Sequence, residues 1–123
     1  FINESHEEIT KVNVAIHTLT MIYENDKNNK DIKFFQDYIA KSVYEKETWK
    51  DTSTLANVLD VLIYTEYQNK AVINKLASEL ISRQEKDGRF SINKDYKENF
   101  GQIFTTFRAL TALNKFEKWQ KST

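Results

Sequence analysis

The chain repeats its pattern of apolar residues with a period of 41 positions, and this repeat constrains the fold more than any other feature. A shift of 41 positions aligns Ala15 with Ala56, Ile22 with Ile63, Tyr23 with Tyr64, Ile32 with Ile73, Phe35 with Leu76, Ile39 with Leu80 and Trp49 with Phe90. Beyond an insertion at 91–101, Leu59 aligns with Leu110 and Leu62 with Leu113. Internal periods of this length are typical of arrays of helical hairpins.

Apolar residues recur at steps of three and four in five stretches, which is the spacing of an amphipathic helix. We predict helices over residues 9–24, 31–44, 53–67, 70–84 and 102–117. The chain contains no proline, so no residue of that type breaks these helices. Short connections make neighbouring helices antiparallel. The predicted fold class is therefore all-α, built from about five helices in antiparallel helical hairpins.

The apolar faces of the predicted helices alternate in width. Helices one, three and five are apolar on more than one side, whereas helices two and four are apolar on one side, which predicts an inner and an outer layer. A second stripe of Val14, His17 and Met21 widens the face of helix one. The apolar residues of helix five are Ile103, Phe104, Phe107, Leu110 and Leu113. Phe116 and Trp119 have no later helix to cover them, which predicts uncovered apolar surface at the C-terminal end.

Length and charge bound the domain count and the classes of partner. A chain of 123 residues predicts one domain, 1–123, with hairpin units at about 9–49 and 50–90 and a partial third unit at 91–123. The 18 basic and 18 acidic side chains are interspersed. No basic stripe is therefore available to displace the counterions of a nucleic acid, and we expect no nucleic-acid partner. We also expect no membrane span, because no apolar run reaches ~20 residues.

The absence of cysteine excludes several kinds of site, and the identity of the first residue bears on how the chain is produced. Cysteine is absent, which excludes disulfides, thiolate nucleophiles and Cys-ligated zinc. The chain starts at Phe1, so we expect a processed product, a subunit fragment or an excised domain. The sequence does not identify the cellular compartment, although the cytoplasm is slightly favoured. The composition, rich in Asn and Lys, is typical of a bacterial protein from an AT-rich genome.

The segment from Gln84 to Phe90 forms a corner between the fourth and fifth helices. Gly88 can adopt the left-handed conformation that ends a helix, Asp87 can accept hydrogen bonds from turn amides, and Gln84 can both donate and accept. We expect Phe90 to bury its ring against the hairpin. An Asp-Gly pair is also a common signal for an ordinary turn, which is the alternative interpretation. Of the earlier copy of this corner, only the aromatic residue Trp49 is kept.

With Gln84, Asp87, Gly88 and Phe90 in these positions, the corner resembles the Gln-x-x-Asp-Gly-Ser-Trp repeat of terpenoid cyclases and protein prenyltransferases. The resemblance implies that the helices form an arc of an α/α-toroid. Arg89 replaces the small residue and Phe90 the Trp of that motif. The Asp-x-Asp-Asp acid of the cyclases, the Cys-containing zinc set of the prenyltransferases and the Cys-x-x-Gln of related thioester domains are all absent. The resemblance therefore implies a fold and no particular activity.

The candidate binding residues follow one polar face of helix three. Steps of four, three and four place its members on one side of the helix: Ser53, Asn57, Asp60 and Tyr64. An offset of 51 residues places Arg108 of helix five opposite Asn57, close enough that we expect Asp60 and Arg108 to pair. This face is either a polar floor for a ligand or for a partner peptide, or else it holds a structural ion pair or is an ordinary solvent-exposed face. His17 either faces the same cavity or is a hydrogen-bonded packing residue.

We expect a noncatalytic helical-repeat module that binds a protein or a small ligand on its concave inner face, without a cofactor or a metal. The alternative is a fragment or subunit of a terpenoid-cyclase-like or prenyltransferase-like enzyme whose catalytic residues lie outside this chain. A third possibility is a small bacterial effector or immunity-type protein that acts by complex formation. The expected partner is another protein, a second copy, or the remainder of a larger chain.

Overall fold

The computed structural model describes residues 4–45, 50–93 and 102–123. These residues form five α-helices: α1 Glu4–Asn25, α2 Ile32–Glu45, α3 Thr52–Tyr64, α4 Lys70–Ile81 and α5 Gln102–Ser122. Apart from two isolated bridges, no strand pairing occurs within the described residues. The prediction of an all-α fold with about five helices is confirmed.

The helices pack in two layers around α3. This helix contacts each of the other four, while α2 also lies against α1, and α4 against α5. Helices α1, α3 and α5 therefore form one layer and α2 and α4 the other. Each helix contributes fully buried side chains to the shared core, among them Leu19, Ile39, Leu59, Leu76 and Ala109. Burying each of the larger ones stabilises the fold by about 2 kcal/mol.

The 41-residue repeat has a direct counterpart in the packing of α1 against α3. Tyr23 and Tyr64, which the repeat aligns, pack edge to face with their ring centroids 5.4 Å apart. Between α3 and α5, Ser53 meets Thr105 near the start of both helices, with 3.3 Å between the hydroxyl oxygens. Asp60 and Lys115 meet further along both. Helices α3 and α5 consequently run in the same direction.

Local side-chain chemistry sets the two ends of α3. Asp51 precedes the helix, and its carboxylate accepts hydrogen bonds from the backbone N–H of Thr54 at 2.9 Å and from the Thr54 hydroxyl at 2.6 Å, which is N-capping. At the other end Glu66 has φ +61, and the N–H of Tyr67 donates to the carbonyl of Leu62 at 2.9 Å. This left-handed termination ends α3 at Tyr64, three residues before the predicted end.

The corner after α4 closes on itself as a small hairpin. Gln84 and Phe90 form an antiparallel bridge, and Gly88 has φ +94. The Gln84 side-chain amide donates to the Gly88 carbonyl at 3.0 Å, and the Asp87 carboxylate accepts from the Arg89 N–H at 3.1 Å. The Phe90 ring is fully buried, as predicted. Because α4 ends well before Gly88, this glycine shapes the turn and does not terminate the helix.

A buried arginine ties the corner to the start of α3. Arg83 is 5% exposed, and its guanidinium donates to the Lys50 carbonyl at 3.2 Å and to the Thr52 hydroxyl at 3.3 Å. Its Nε donates to the Glu79 carboxylate at 3.3 Å. The Arg83 carbonyl also accepts the N–H of Ser91 at 3.1 Å. One side chain thus joins the end of α4 to the first turn of α3.

The expectation that α1 and α5 are buried on more than one side is wrong. The buried residues of α5 are three small ones and one aromatic: Thr105, Ala109, Ala112 and Phe116. Most of the apolar residues predicted to be buried are instead exposed: Ile103 (84%), Phe104 (58%), Phe107 (66%) and Leu110 (45%). The second stripe of α1 is exposed too, at Val14 and Met21. Both helices lie at an edge of their layer, where no described neighbour covers the outward side.

The predicted uncovered surface therefore lies earlier on α5 than expected. Phe116 is buried and stacks on half-buried Trp119, with ring centroids 5.7 Å apart. Trp49 lies outside the described residues, so the earlier copy of the corner stays a prediction, as does closure of the layers into a toroid arc. Of the helices the structure describes, none combines the length and the apolar character needed to cross a membrane.

Candidate functional site

Five of the six residues predicted for binding line one cleft across α1, α3 and α5: His17, Asn57, Asp60, Tyr64 and Arg108. Ser53 does not line this cleft, and its hydroxyl lies against that of Thr105. The cleft, which we call the inner cleft, has a volume of about 460 Å³, within the range of small-ligand sites. Its remaining lining residues are Asn13, Ile16, Thr20, Glu24, Val61 and Lys115. All of them belong to the layer of α1, α3 and α5, so the cleft opens on the side away from α2 and α4.

The predicted ion pair between Asp60 and Arg108 is wrong, because Asp60 forms an ion pair with Lys115 instead. The Lys115 ammonium lies 2.7 Å from the Asp60 carboxylate. Asp60 is level with the part of α5 between Arg108 and Lys115. Side chains on a helix lean towards its N-terminus, so Lys115 reaches back to Asp60 more easily than Arg108 reaches forward. The offset that placed Arg108 opposite Asn57 is correct, and these two side chains lie 3.5 Å apart.

Arg108 keeps most of its hydrogen-bonding capacity. Its nearest hydrogen-bond partner in the described parts of the chain is the Asn57 side-chain oxygen, at the long distance of 3.5 Å. The guanidinium lies over the Phe104 ring, 5.0 Å from the centroid, which is the geometry of a cation–π contact. A guanidinium has five N–H donors in a rigid fork that fits a carboxylate. Phe104 therefore holds this fork in place while leaving most of its donors available.

A pair of tyrosines joins α1 to the end of α3 beside the inner cleft, which Tyr64 lines. The Tyr64 hydroxyl donates to the Glu24 carboxylate at 2.9 Å, and this hydrogen bond raises the pKa of Tyr64. The Tyr23 hydroxyl donates to the Glu66 carboxylate at 2.7 Å. That hydrogen bond, together with burial and the negative charge of Glu66, raises the pKa of Tyr23 to about 12. Both phenols are therefore neutral donors at pH 7 that fix α1 against the end of α3.

His17 is exposed at the wall of the inner cleft. The imidazole has no hydrogen-bond partner among the described residues, so the interpretation of His17 as a hydrogen-bonded packing residue is wrong. Its ring is available to a ligand, as a donor or as an acceptor.

Sequence reasoning missed two charged residues of the inner cleft, Glu24 and Lys115. A signal for both is present in the spacing. Each inner helix contributes residues seven positions apart, which is two helical turns and keeps them on one face. The pairs are His17 with Glu24, Asn57 with Tyr64, and Arg108 with Lys115. Extending each predicted residue by seven positions would have found them.

Among the described residues, no group of three or more His, Cys, Asp or Glu side chains is arranged to hold a metal ion. The chain matches no family model, no curated protein and no solved structure. The resemblance of Gln84–Phe90 to the toroid repeats therefore stays a prediction. The chemistry of the inner cleft rests on its own residues.

Proposed function

We propose that the chain is a helical-repeat module that binds a protein segment or a small ligand in the inner cleft, where Arg108 receives a carboxylate. The observation that carries this proposal is the state of Arg108. Its guanidinium is stacked on Phe104, open to the cleft, and only weakly engaged by Asn57. Planar bidentate recognition of carboxylates is the chemistry for which arginine is best suited.

The other charges of the cleft support a ligand that carries groups of both signs. Glu24 and Asp60 are each engaged by a donor from a neighbouring helix, Tyr64 and Lys115 respectively. These contacts fix the carboxylates in place while leaving further lone pairs for donors of a ligand. A backbone segment with one acidic side chain, or a small zwitterion, has the matching set of groups.

The ion pair of Asp60 and Lys115 contributes little to folding. The side chains are 29% and 46% exposed, and exposed pairs of this kind are worth about 0–1 kcal/mol. Asp60→Ala and Arg108→Ala should therefore lower the free energy of unfolding by no more than about 1 kcal/mol. Their effect on binding separates a ligand site from a merely structural pair.

The test uses a phage-displayed library of random peptides, selected on the immobilised chain, followed by calorimetric titration of the best peptides. We expect the selected peptides to contain Asp, Glu or a free C-terminus. Arg108→Ala should weaken their binding about tenfold or more, and Arg108→Lys should restore little of the loss. Asp60→Ala should weaken binding as well.

The matched control is Lys33→Ala, which removes an ion pair of the same 2.7 Å length on α2, away from the inner cleft. We expect it to leave peptide binding unchanged. Peptides that bind Arg108→Ala and the unaltered chain equally well would contradict the proposal. Large, equal losses of melting temperature in Asp60→Ala and Arg108→Ala without a binding defect would assign these residues to structure alone.

A further inference from the structure

The outward side of α5 presents a continuous apolar surface, which we call the α5 patch: Ile103, Phe104, Phe107 and Leu110. These side chains are between 45% and 84% exposed and follow two successive turns of one helix. Because a large aromatic side chain carries about 150–250 Å² of surface, the patch exposes on the order of 500 Å². That is at the upper end of what a soluble monomer usually shows.

The repeat indicates that this side of α5 is built for packing. Phe107 and Leu110 occupy the positions that Ala56 and Leu59 occupy on α3, 51 residues earlier. Those two residues are 1% and 0% exposed. The same helical face is therefore covered on α3 and left uncovered by the described residues on α5.

We propose that the α5 patch is the contact surface of a two-fold dimer, in which α5 of one chain packs against α5 of a second copy. Pairing two such patches buries on the order of 1,000 Å², the area at which a specific interface begins. A two-fold contact places each apolar patch against an identical one. One charged side chain borders the patch, because the Arg108 guanidinium that lines the inner cleft lies 5.0 Å from the Phe104 ring centroid. The formal net charge of the chain is +0, so two copies do not repel each other as whole molecules.

A head-to-tail contact, in which α5 meets α1 of the next copy, is the weaker alternative. The exposed apolar residues of α1, Val14 and Met21, lie two turns apart, and the surface that they offer is smaller than the α5 patch. A head-to-tail contact would also fail to close after two copies. Met21, at 71% exposed, thus provides a control residue of similar size and exposure on the opposite edge of the layer.

Sedimentation equilibrium tests the dimer through its mass. We expect a species of 29 kDa, twice the 14.5 kDa of the chain, in concentration-dependent equilibrium with the monomer. Phe107→Glu should raise the dissociation constant about tenfold or more, whereas Met21→Glu should leave it unchanged. Because both side chains are exposed, circular dichroism should show the same helical content and melting behaviour in the monomeric state of both variants.

The absence of native cysteine makes crosslinking a second readout. Phe107→Cys should form a disulfide-linked dimer on mild oxidation, at least about ten times faster than Met21→Cys, because Phe107 lies near the middle of the patch and only residues close to a two-fold axis meet their own copies. A chain that stays monomeric at the highest attainable concentration would overturn the proposal. So would a dimer that survives Phe107→Glu, or one that Met21→Glu dissociates.

Discussion

Glu66 shows how a single residue can carry both strain and a useful contact. A left-handed backbone conformation, here φ +61, costs a residue with a side chain about 1 kcal/mol or more, and glycine usually occupies this position after a helix. The Glu66 carboxylate accepts the hydrogen bond of the Tyr23 hydroxyl on α1. The strain at the end of α3 is therefore offset by a contact that fixes a neighbouring helix, which glycine would not supply.

Tyr23→Phe tests this contact through its pH dependence. The pKa of Tyr23 is raised from 10.0 to about 12 in the folded chain, so the neutral phenol stabilises the fold below pH 10. This contribution is lost as the pH rises from 10 towards 12. We expect the variant to be less stable than the unaltered chain by about 1 kcal/mol at pH 7, and the difference to shrink above pH 10.

Urea unfolding followed by circular dichroism at pH 7, 9, 10 and 11, values that run from well below the ordinary pKa of 10.0 towards the raised pKa of about 12, measures this difference. Tyr38→Phe, on the exposed side of α2, is the control for loss of a phenol at pH 7. A stability difference for Tyr23→Phe that stays constant from neutral to alkaline pH would show that the Glu66 contact does not depend on the phenolic proton.

At the scale of helices, periodicity predicted the number of elements because each helix needs one apolar side against the core. The ends of the helices depend on local contacts that periodicity does not contain. α3 stops at Tyr64 because Glu66 turns left-handed, although apolar Tyr67 continues the pattern. Likewise, α5 buries Ala109 and Ala112 and exposes Phe107, since the small residues allow the closer approach to α3. The size of the residues therefore decides which side of α5 packs against α3, and a hydropathy pattern contains no information about residue size.

Arg83 connects the end of α4 to the start of α3, and its substitution measures how much this connection stabilises the fold. Arg83→Met keeps the length of the side chain but removes the hydrogen bonds to Lys50 and Thr52 and leaves the Glu79 carboxylate without this partner. We expect the free energy of unfolding to fall by about 2–4 kcal/mol, because the guanidinium is buried. Thermal and urea unfolding measure the change.

The control for Arg83 is Arg89, whose guanidinium forms a 2.7 Å ion pair with Asp87 on the surface of the same corner. Since that pair is about half exposed on both sides, Arg89→Met should cost no more than about 1 kcal/mol. Similar losses for the two variants would mean that burial of Arg83 does not strengthen its contacts.

For the whole molecule, the sequence predicted which residues share a face better than which residues pair. The 41-residue repeat and the offset of 51 brought His17, Asn57, Asp60, Tyr64 and Arg108 to one cleft, because parallel helices in one layer keep their register. Asp60 pairs with Lys115 because the Lys115 side chain points back towards the N-terminus of α5. The spacing of residues alone does not predict this direction. The uncovered apolar surface was predicted at Phe116 and Trp119 and lies at the α5 patch instead, because amphipathic patterning cannot tell a covered face from an open one.

Backbone amide chemical shifts, measured by NMR as a selected acidic peptide is titrated into the chain, test the inner cleft most directly. The function proposed here predicts that the largest shifts cluster on the cleft faces of α1, α3 and α5, around His17, Asp60 and Arg108, and that they vanish in Arg108→Ala. Shifts centred on α2 and α4, or shifts that persist unchanged in Arg108→Ala, would contradict a binding site in the inner cleft.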